Sequence, residues 1–109
     1  MAVFMALAKY SPDAAKGVVT GGPAAREAYL RQVFAATGST VIALYFVEGG
    51  EWDLVVIADL PDVPGSAVAT YLTNQGAGLY ENWRGYRLYS GDDVQAALAQ
   101  TTPLAKPGS

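Results

Sequence analysis

The 109-residue sequence contains no cysteine and no histidine. Without cysteine there is no disulfide framework, no thiolate metal site and no thiol nucleophile. Without histidine the chain lacks the usual base at neutral pH, so a Ser-His-Asp triad is excluded. Charged residues are scarce at 16%, and acidic residues outnumber basic ones by 10 to 7, which gives a net charge of −3. This balance disfavours nucleic-acid binding, which depends on clustered cations.

Long apolar stretches are also missing. The apolar runs Val41–Val47 and Leu54–Ala58 are far shorter than the ~20 residues that a membrane-spanning helix needs. The first residues lack the basic segment and the length of a signal peptide. We therefore expect a cytoplasmic protein that does not bind membranes. The acidic residues have no ligand-like spacing and no phosphate-binding loop is present, so we expect neither a metal nor a cofactor.

What the sequence does contain is a regular alternation of strand and helix patterns. Gly49 and Gly50 separate two β-rich runs and can supply the positive φ angles of a tight hairpin turn. The predicted order is βαββαβ with a short final helix, which is typical of a ferredoxin-like α+β domain with a four-stranded antiparallel sheet.

We assign one domain to residues 1–100 and a flexible tail to residues 101–109. The predicted strands are Val3–Tyr10, Ser39–Val47, Trp52–Leu60 and Trp83–Tyr89. The predicted helices are Pro12–Thr37 with a break at Gly21–Pro23, Asp62–Asn74 and Asp93–Gln100.

Several local features of these helices are predictable. Ser11 followed by Pro12, and Ser90 three residues before Asp93, have the pattern of helix N-caps. Helical spacing predicts that Glu27 and Arg31 pair on an exposed face. The same spacing predicts buried helix faces, which would hold Tyr29, Leu30, Val33 and Phe34 in one helix and Val68, Ala69 and Leu72 in the other.

The central hairpin is apolar on both faces. Pairing across the glycines places residue 45 opposite 54 and 43 opposite 56. One face would then carry Tyr45, Leu54 and Val56, and the other Leu44, Val55 and Ile57. The helices can cover only one face, so the other would expose a large apolar patch. A second copy could cover it sheet against sheet, as a homodimer, or the tail and final helix could fold over it. The final helix offers little apolar surface, so we expect the homodimer.

The residues of this hairpin resemble a known family. They read VIALYFVEGGEWDLVVIADLPD from residue 41, with the aromatic pair Tyr45-Phe46, the motif Gly50-Glu51-Trp52-Asp53 and the end Leu60-Pro61-Asp62. This pattern resembles the GYD-domain family of small bacterial proteins, and Trp52 stands where that family usually has tyrosine. The resemblance covers roughly residues 5–93. It implies a dimeric α/β-barrel fold, whose superfamily includes cofactor-independent monooxygenases, small isomerases and cyclases, stress-responsive proteins and effector-binding domains of regulators.

Aromatic residues and one arginine suggest a binding site. We predict a pocket between sheet and helices lined by Tyr45, Trp52, Trp83 and Tyr89, with Arg87 orienting an anionic group. The same side chains could instead fill the dimer interface, where aromatic residues and arginine are also enriched.

Asp53 is the candidate catalytic residue, as a general base. The alternative is a structural role, in which this carboxylate ties down a turn or pairs with Arg84 or Arg87. The sequence thus predicts a protein that binds a small hydrophobic or aromatic molecule, either as a cofactor-independent enzyme or as a non-catalytic effector-sensing or assembly module without a DNA-binding domain.

Overall fold

The computed structural model describes residues 2–108, which form one four-stranded antiparallel sheet with helices packed on one side. The strand order across the sheet is β2-β3-β1-β4, which confirms the predicted ferredoxin-like α+β fold. The elements are β1 (Ala2–Tyr10), α1 (Pro12–Gly21), α2 (Pro23–Ala36), β2 (Thr40–Phe46), β3 (Leu54–Leu60), α3 (Ser66–Gly76), β4 (Tyr80–Leu88) and α4 (Gly91–Leu98).

The helix boundaries follow from local chemistry. The Ser11 hydroxyl accepts a hydrogen bond from the Ala14 amide at 3.2 Å and caps α1. Ser90 and Asp93 form the predicted capping box at the start of α4. Gly22, at φ 96°, lies between α1 and α2, in a conformation that L-residues avoid. These predicted caps and the predicted break are therefore confirmed.

The hairpin between β2 and β3 differs from the predicted register. Gly49 and Gly50 have the expected positive φ values of 124° and 82°. However, Tyr45 pairs with Val55, and the register shifts between Val41 and Ala43. The predicted pairing of 45 with 54 is therefore wrong by one residue. A β-bulge adds a residue to one strand, and the alternation of side chains in the sequence does not reveal it.

This shift decides which side chains of β2 reach the core. Leu44 lies opposite Val56 and is 4% exposed, whereas Tyr45 is 69% exposed. The predicted grouping of Tyr45 with Leu54 and Val56 on one face is thus wrong, because Leu44 takes that place. The helix-facing core consists of Ala8, Tyr10, Leu44, Leu54, Val56 and Ala58, with Ala14, Ala15, Val18, Leu30 and Phe34 packed against it from α1 and α2.

The two helix faces that were predicted to be buried are both more exposed than expected. Tyr29 remains 53% exposed in α2, beside the packed Leu30. In α3 the prediction is wrong, since Val68 and Leu72 are 62% and 61% exposed. The reason is the rotation of α3, which places Tyr71 against β4 instead.

The opposite side of the sheet, here called the open face, is apolar at its centre. By strand alternation and register it carries Met5, Leu7, Ala43, Tyr45, Val55, Ile57 and Tyr86. Every residue of α4 is exposed, and the chain measures 59 × 34 × 25 Å with a radius of gyration of 17.3 Å. A compact domain of this length has a radius of gyration of about 13 Å. The described chain is therefore elongated, and residues 2–108 leave one sheet face without a covering layer.

Candidate functional site

A cluster of polar side chains lies on the helix side of the sheet, where β1 and β4 meet. Tyr10 and Tyr80 are paired across these strands, just after a register shift between Lys9 and Tyr10. Tyr10 is only 4% exposed. Arg26 of α2 reaches this position, and its Nε donates a hydrogen bond to the Tyr10 hydroxyl at 3.2 Å. A buried strand end thus brings a phenol and a guanidinium together.

Aromatic rings hold the Arg26 guanidinium in place. Its Cζ lies 5.5 Å from the centre of the Tyr10 ring and 5.2 Å from the centre of the Tyr29 ring. Both separations lie within the range of cation–π attraction. The two rings therefore restrict the orientation of the guanidinium.

Tyr80 completes the cluster. The Asn74 Nδ2 donates to the Tyr80 hydroxyl at 3.5 Å. Burial, and then the nearby Tyr10, raise the pKa of Tyr80 above its ordinary value of 10.0, while the Asn74 hydrogen bond and the charge of Arg26 act in the opposite direction. Tyr80 therefore keeps its proton at neutral pH.

A cavity of about 390 Å³ opens beside Tyr10 and Arg26, between α1, the start of α2 and the residue before β4. Its remaining wall is small and apolar, consisting of Ala14, Gly17, Val18, Gly21, Gly22, Ala25 and Leu79. A Cβ atom added at Gly17 would meet no other atom within 4 Å. Gly17 is exposed, so this small residue leaves its side of the cavity open to solvent.

The predicted binding residues lie in separate places. Arg87 and Tyr89 are together, with the Arg87 Cζ 4.5 Å from the Tyr89 ring centre and 5.5 Å from the Phe4 ring centre. Phe4 also borders a smaller cavity of about 210 Å³, formed with Leu60 and the segment 61–68. The Arg87 Nη1 already donates to the carbonyls of Val3, at 3.3 Å, and of Leu88. Two hydrogen bonds of this arginine are thus formed within the chain.

The other three predicted residues are apart from this pair. Trp83 packs against Tyr71 of α3, with ring centres 4.9 Å apart. Tyr45 lies on the open face, and Trp52 is half-buried in the connection between β2 and β3. None of the five lines the cavity of about 390 Å³, and their role in binding stays a prediction.

The residues around the larger cavity were missed by the sequence analysis. Arg26 precedes Leu30 by four residues and therefore lies on the helix stripe that faces the core. A cation on a buried stripe is unusual, and this signal could have identified Arg26. Tyr10 and Tyr80 carried no such signal, because both look like ordinary strand aromatics until the register of β1 and β4 is known.

Comparison with known proteins identifies the family. The family model for the GYD domain matches residues 4–98. The chain belongs to the GYD-domain family. Searches of curated proteins and of solved structures returned no significant match.

The signature motif of this GYD domain anchors the end of β1. The Asp53 amide donates to the Ala8 carbonyl at 2.9 Å, and the Asp53 Oδ2 accepts a hydrogen bond from the Tyr10 amide at 2.9 Å. Lys9 Nζ donates to the Gly50 carbonyl at 2.8 Å and lies 3.9 Å from the Asp53 Oδ1. These contacts support the structural hypothesis for Asp53. The cation beside it is Lys9 rather than an arginine of β4, so that part of the prediction is wrong.

The motif therefore has an indirect connection to the candidate site. It fixes the backbone of Tyr10, whose side chain lies in the polar cluster. Residues 2–108 of this GYD domain hold no cluster of three or more side chains suited to bind a metal. They also contain no helix that is both long and apolar enough to cross a membrane.

Proposed function

We propose that this GYD domain is a homodimer that binds a small, largely apolar molecule in the cavity between α1, α2 and the sheet. The observation that carries the binding proposal is the cavity itself, at about 390 Å³. Ligand pockets are typically ~300–1,000 Å³, mostly apolar, with a few polar groups that orient the ligand. The wall of small residues beside Tyr10 and Arg26 has this composition.

The open face supports the homodimer. The chain exposes 7689 Å², whereas a monomer of 11.4 kDa ordinarily exposes about 5,800 Å². The excess is more than the ~800 Å² that each partner buries in a standard interface. A second copy packed sheet against sheet would cover the apolar open face, including Tyr45 and Ile57.

The exposed apolar side chains of α4 also support the homodimer. α4 keeps Val94 and Leu98 51% and 58% exposed, and isolated helices shorter than ~12–15 residues are marginal in water. A partner subunit is a suitable surface for this apolar edge. Within the single chain, α4 leaves the open face uncovered.

The oligomeric state can be tested by light scattering combined with size-exclusion chromatography. We expect a species of twice 11.4 kDa at low micromolar concentration. Ile57 lies at the centre of the open face, opposite Met5 and Ala43. Ile57→Asp should therefore give monomers, because formation of the dimer would bury an unpaired charge. Val63→Asp, at an exposed position outside the sheet, is the control and should leave the dimer intact. A wild-type monomer under these conditions would contradict the dimer.

Ligand binding can be tested by a fluorine NMR screen of aromatic fragments. Gly17→Leu fills the cavity, whereas Gly17→Ala adds one methyl group to the same open position. We expect fragments whose binding is lost in Gly17→Leu and kept in Gly17→Ala. If no fragment depends on residue 17, the cavity is not a binding site. A cofactor-independent enzyme and an effector-sensing module would both use this cavity, and analysis of the recovered ligand for chemical change separates them.

A further inference from the structure

We propose that the polar end of this cavity binds an anionic oxygen, such as a carboxylate, on an otherwise apolar ligand. The inference rests on the proposed binding function and adds the chemical class of the ligand. It is carried by the arrangement of hydrogen-bond donors around Arg26 and Tyr10.

Arg26 has hydrogen-bond donors without an acceptor in the described chain. Its Nε donates to the Tyr10 hydroxyl, and a guanidinium has four further N–H groups on its two Nη atoms. Within residues 2–108, no carboxylate lies within 4.0 Å of Arg26, and no hydrogen bond from its Nη atoms is formed. Arg31, five residues later on the same helix, pairs with Glu27 at 3.2 Å. The cation beside the cavity is thus the one of the two that lacks an acidic partner within the described chain.

Tyr10 is also oriented as a donor. Its hydroxyl oxygen accepts from Arg26, so its own proton can be donated to a third group. Tyr10 is almost fully buried, and a hydroxyl proton without an acceptor is unfavourable at such a position. An acceptor atom in the cavity would satisfy both Tyr10 and the Arg26 Nη groups.

The cavity wall offers no competing anion. Its other members are glycine, alanine, valine and leucine. Arg26 also stands near the start of α2, where an acidic residue is usually favoured by the helix dipole. An incoming anion would supply the negative charge missing at this helix end. The cation–π contacts of Arg26 with Tyr10 and Tyr29 hold the guanidinium ready, which lowers the entropic cost of binding.

The test compares two probes of the same shape by isothermal titration calorimetry. The probes are 2-naphthoate, an anion, and 2-naphthamide, its neutral analogue. We expect 2-naphthoate to bind about 10–100-fold more tightly, as charge-assisted hydrogen bonds require. Arg26→Gln keeps a polar side chain and removes the charge, so it should reduce this preference to within about twofold. Arg31→Gln is the control on the same helix and should keep the preference.

Thermal unfolding curves of Arg26→Gln and Arg31→Gln show whether both variants are folded. Arg26→Lys should retain part of the preference for 2-naphthoate over 2-naphthamide. Equal affinity for the two probes in the wild type, or an unchanged preference in Arg26→Gln, overturns the anion inference and leaves the apolar cavity as a binding site. Failure of both probes to bind the wild type counts against the anion inference and the proposed function together.

Discussion

Replacing Gly85 by alanine tests how tightly the sheet and α3 are packed. The indole of Trp83 lies directly over Gly85, so a Cβ atom at residue 85 would be 2.2 Å from Cη2 and 2.8 Å from Cζ2 of that ring. Carbon atoms in favourable contact are about 3.5–4.0 Å apart. The ring must therefore move by more than 1 Å, and Tyr71 on the α3 side restricts that movement.

The expected cost follows from two opposing effects. Alanine in a strand interior is ordinarily about 0.5–1 kcal/mol more favourable than glycine. Overpacking a filled site costs about 1–3 kcal/mol. We expect Gly85→Ala to lower the free energy of unfolding by about 1–2 kcal/mol, measured by urea denaturation at one fixed protein concentration.

A double-mutant cycle isolates the cause. In a Trp83→Ala background the clash is gone, so Gly85→Ala should be neutral or stabilising by up to about 1 kcal/mol. Gly17→Ala, whose new methyl group meets nothing within 4 Å, is the control for the substitution itself. If Gly85→Ala is as stable as the wild type, or equally destabilising with and without Trp83, the reasoning is refuted.

Two further predictions concern the cluster at the end of β1. Asp53→Ala leaves the Tyr10 amide without its acceptor and should lower the free energy of unfolding by about 1–3 kcal/mol, whereas Asp53→Asn keeps an acceptor oxygen and should lower it less. Asp62→Ala, at an exposed position, is the control. Equal stability of all three variants would contradict the structural role of Asp53. Because the pKa of Tyr80 is raised in the folded state, its protonated phenol contributes stability that is fully present below pH 10. This contribution is lost as the pH rises through the folded-state pKa. Between pH 8.5 and 11, urea unfolding should therefore show a steeper loss of stability in the wild type than in Tyr80→Phe, and parallel profiles would speak against it.

Features set by neighbouring residues were predictable from the sequence. The cap at Ser11, the capping box at Ser90 and the glycine turn at Gly49 each depend on residues within a few positions, so local chemistry predicts them. The order of strands and helices followed from the same signals. These were sufficient for the fold class.

Features set by distant residues were not predictable. The bulge near Ile42 exchanges Tyr45 for Leu44 in the core, and the apolar pattern of β2 is compatible with either register. The cluster of Tyr10, Arg26 and Tyr80 forms only when α2 lies over the junction of β1 and β4. Its residues are typical of strands and helices individually, and only their packing makes them a candidate site.

The polar end of the cavity is made of phenols and a guanidinium, with no imidazole or thiol in the chain. Histidine and cysteine are the side chains whose ordinary pKa values lie closest to neutral pH. This sequence supplies neither of them to the cavity. A change in affinity near neutral pH would therefore point first to the acidity of the bound compound, so a simple pH titration of binding would itself help to identify that compound.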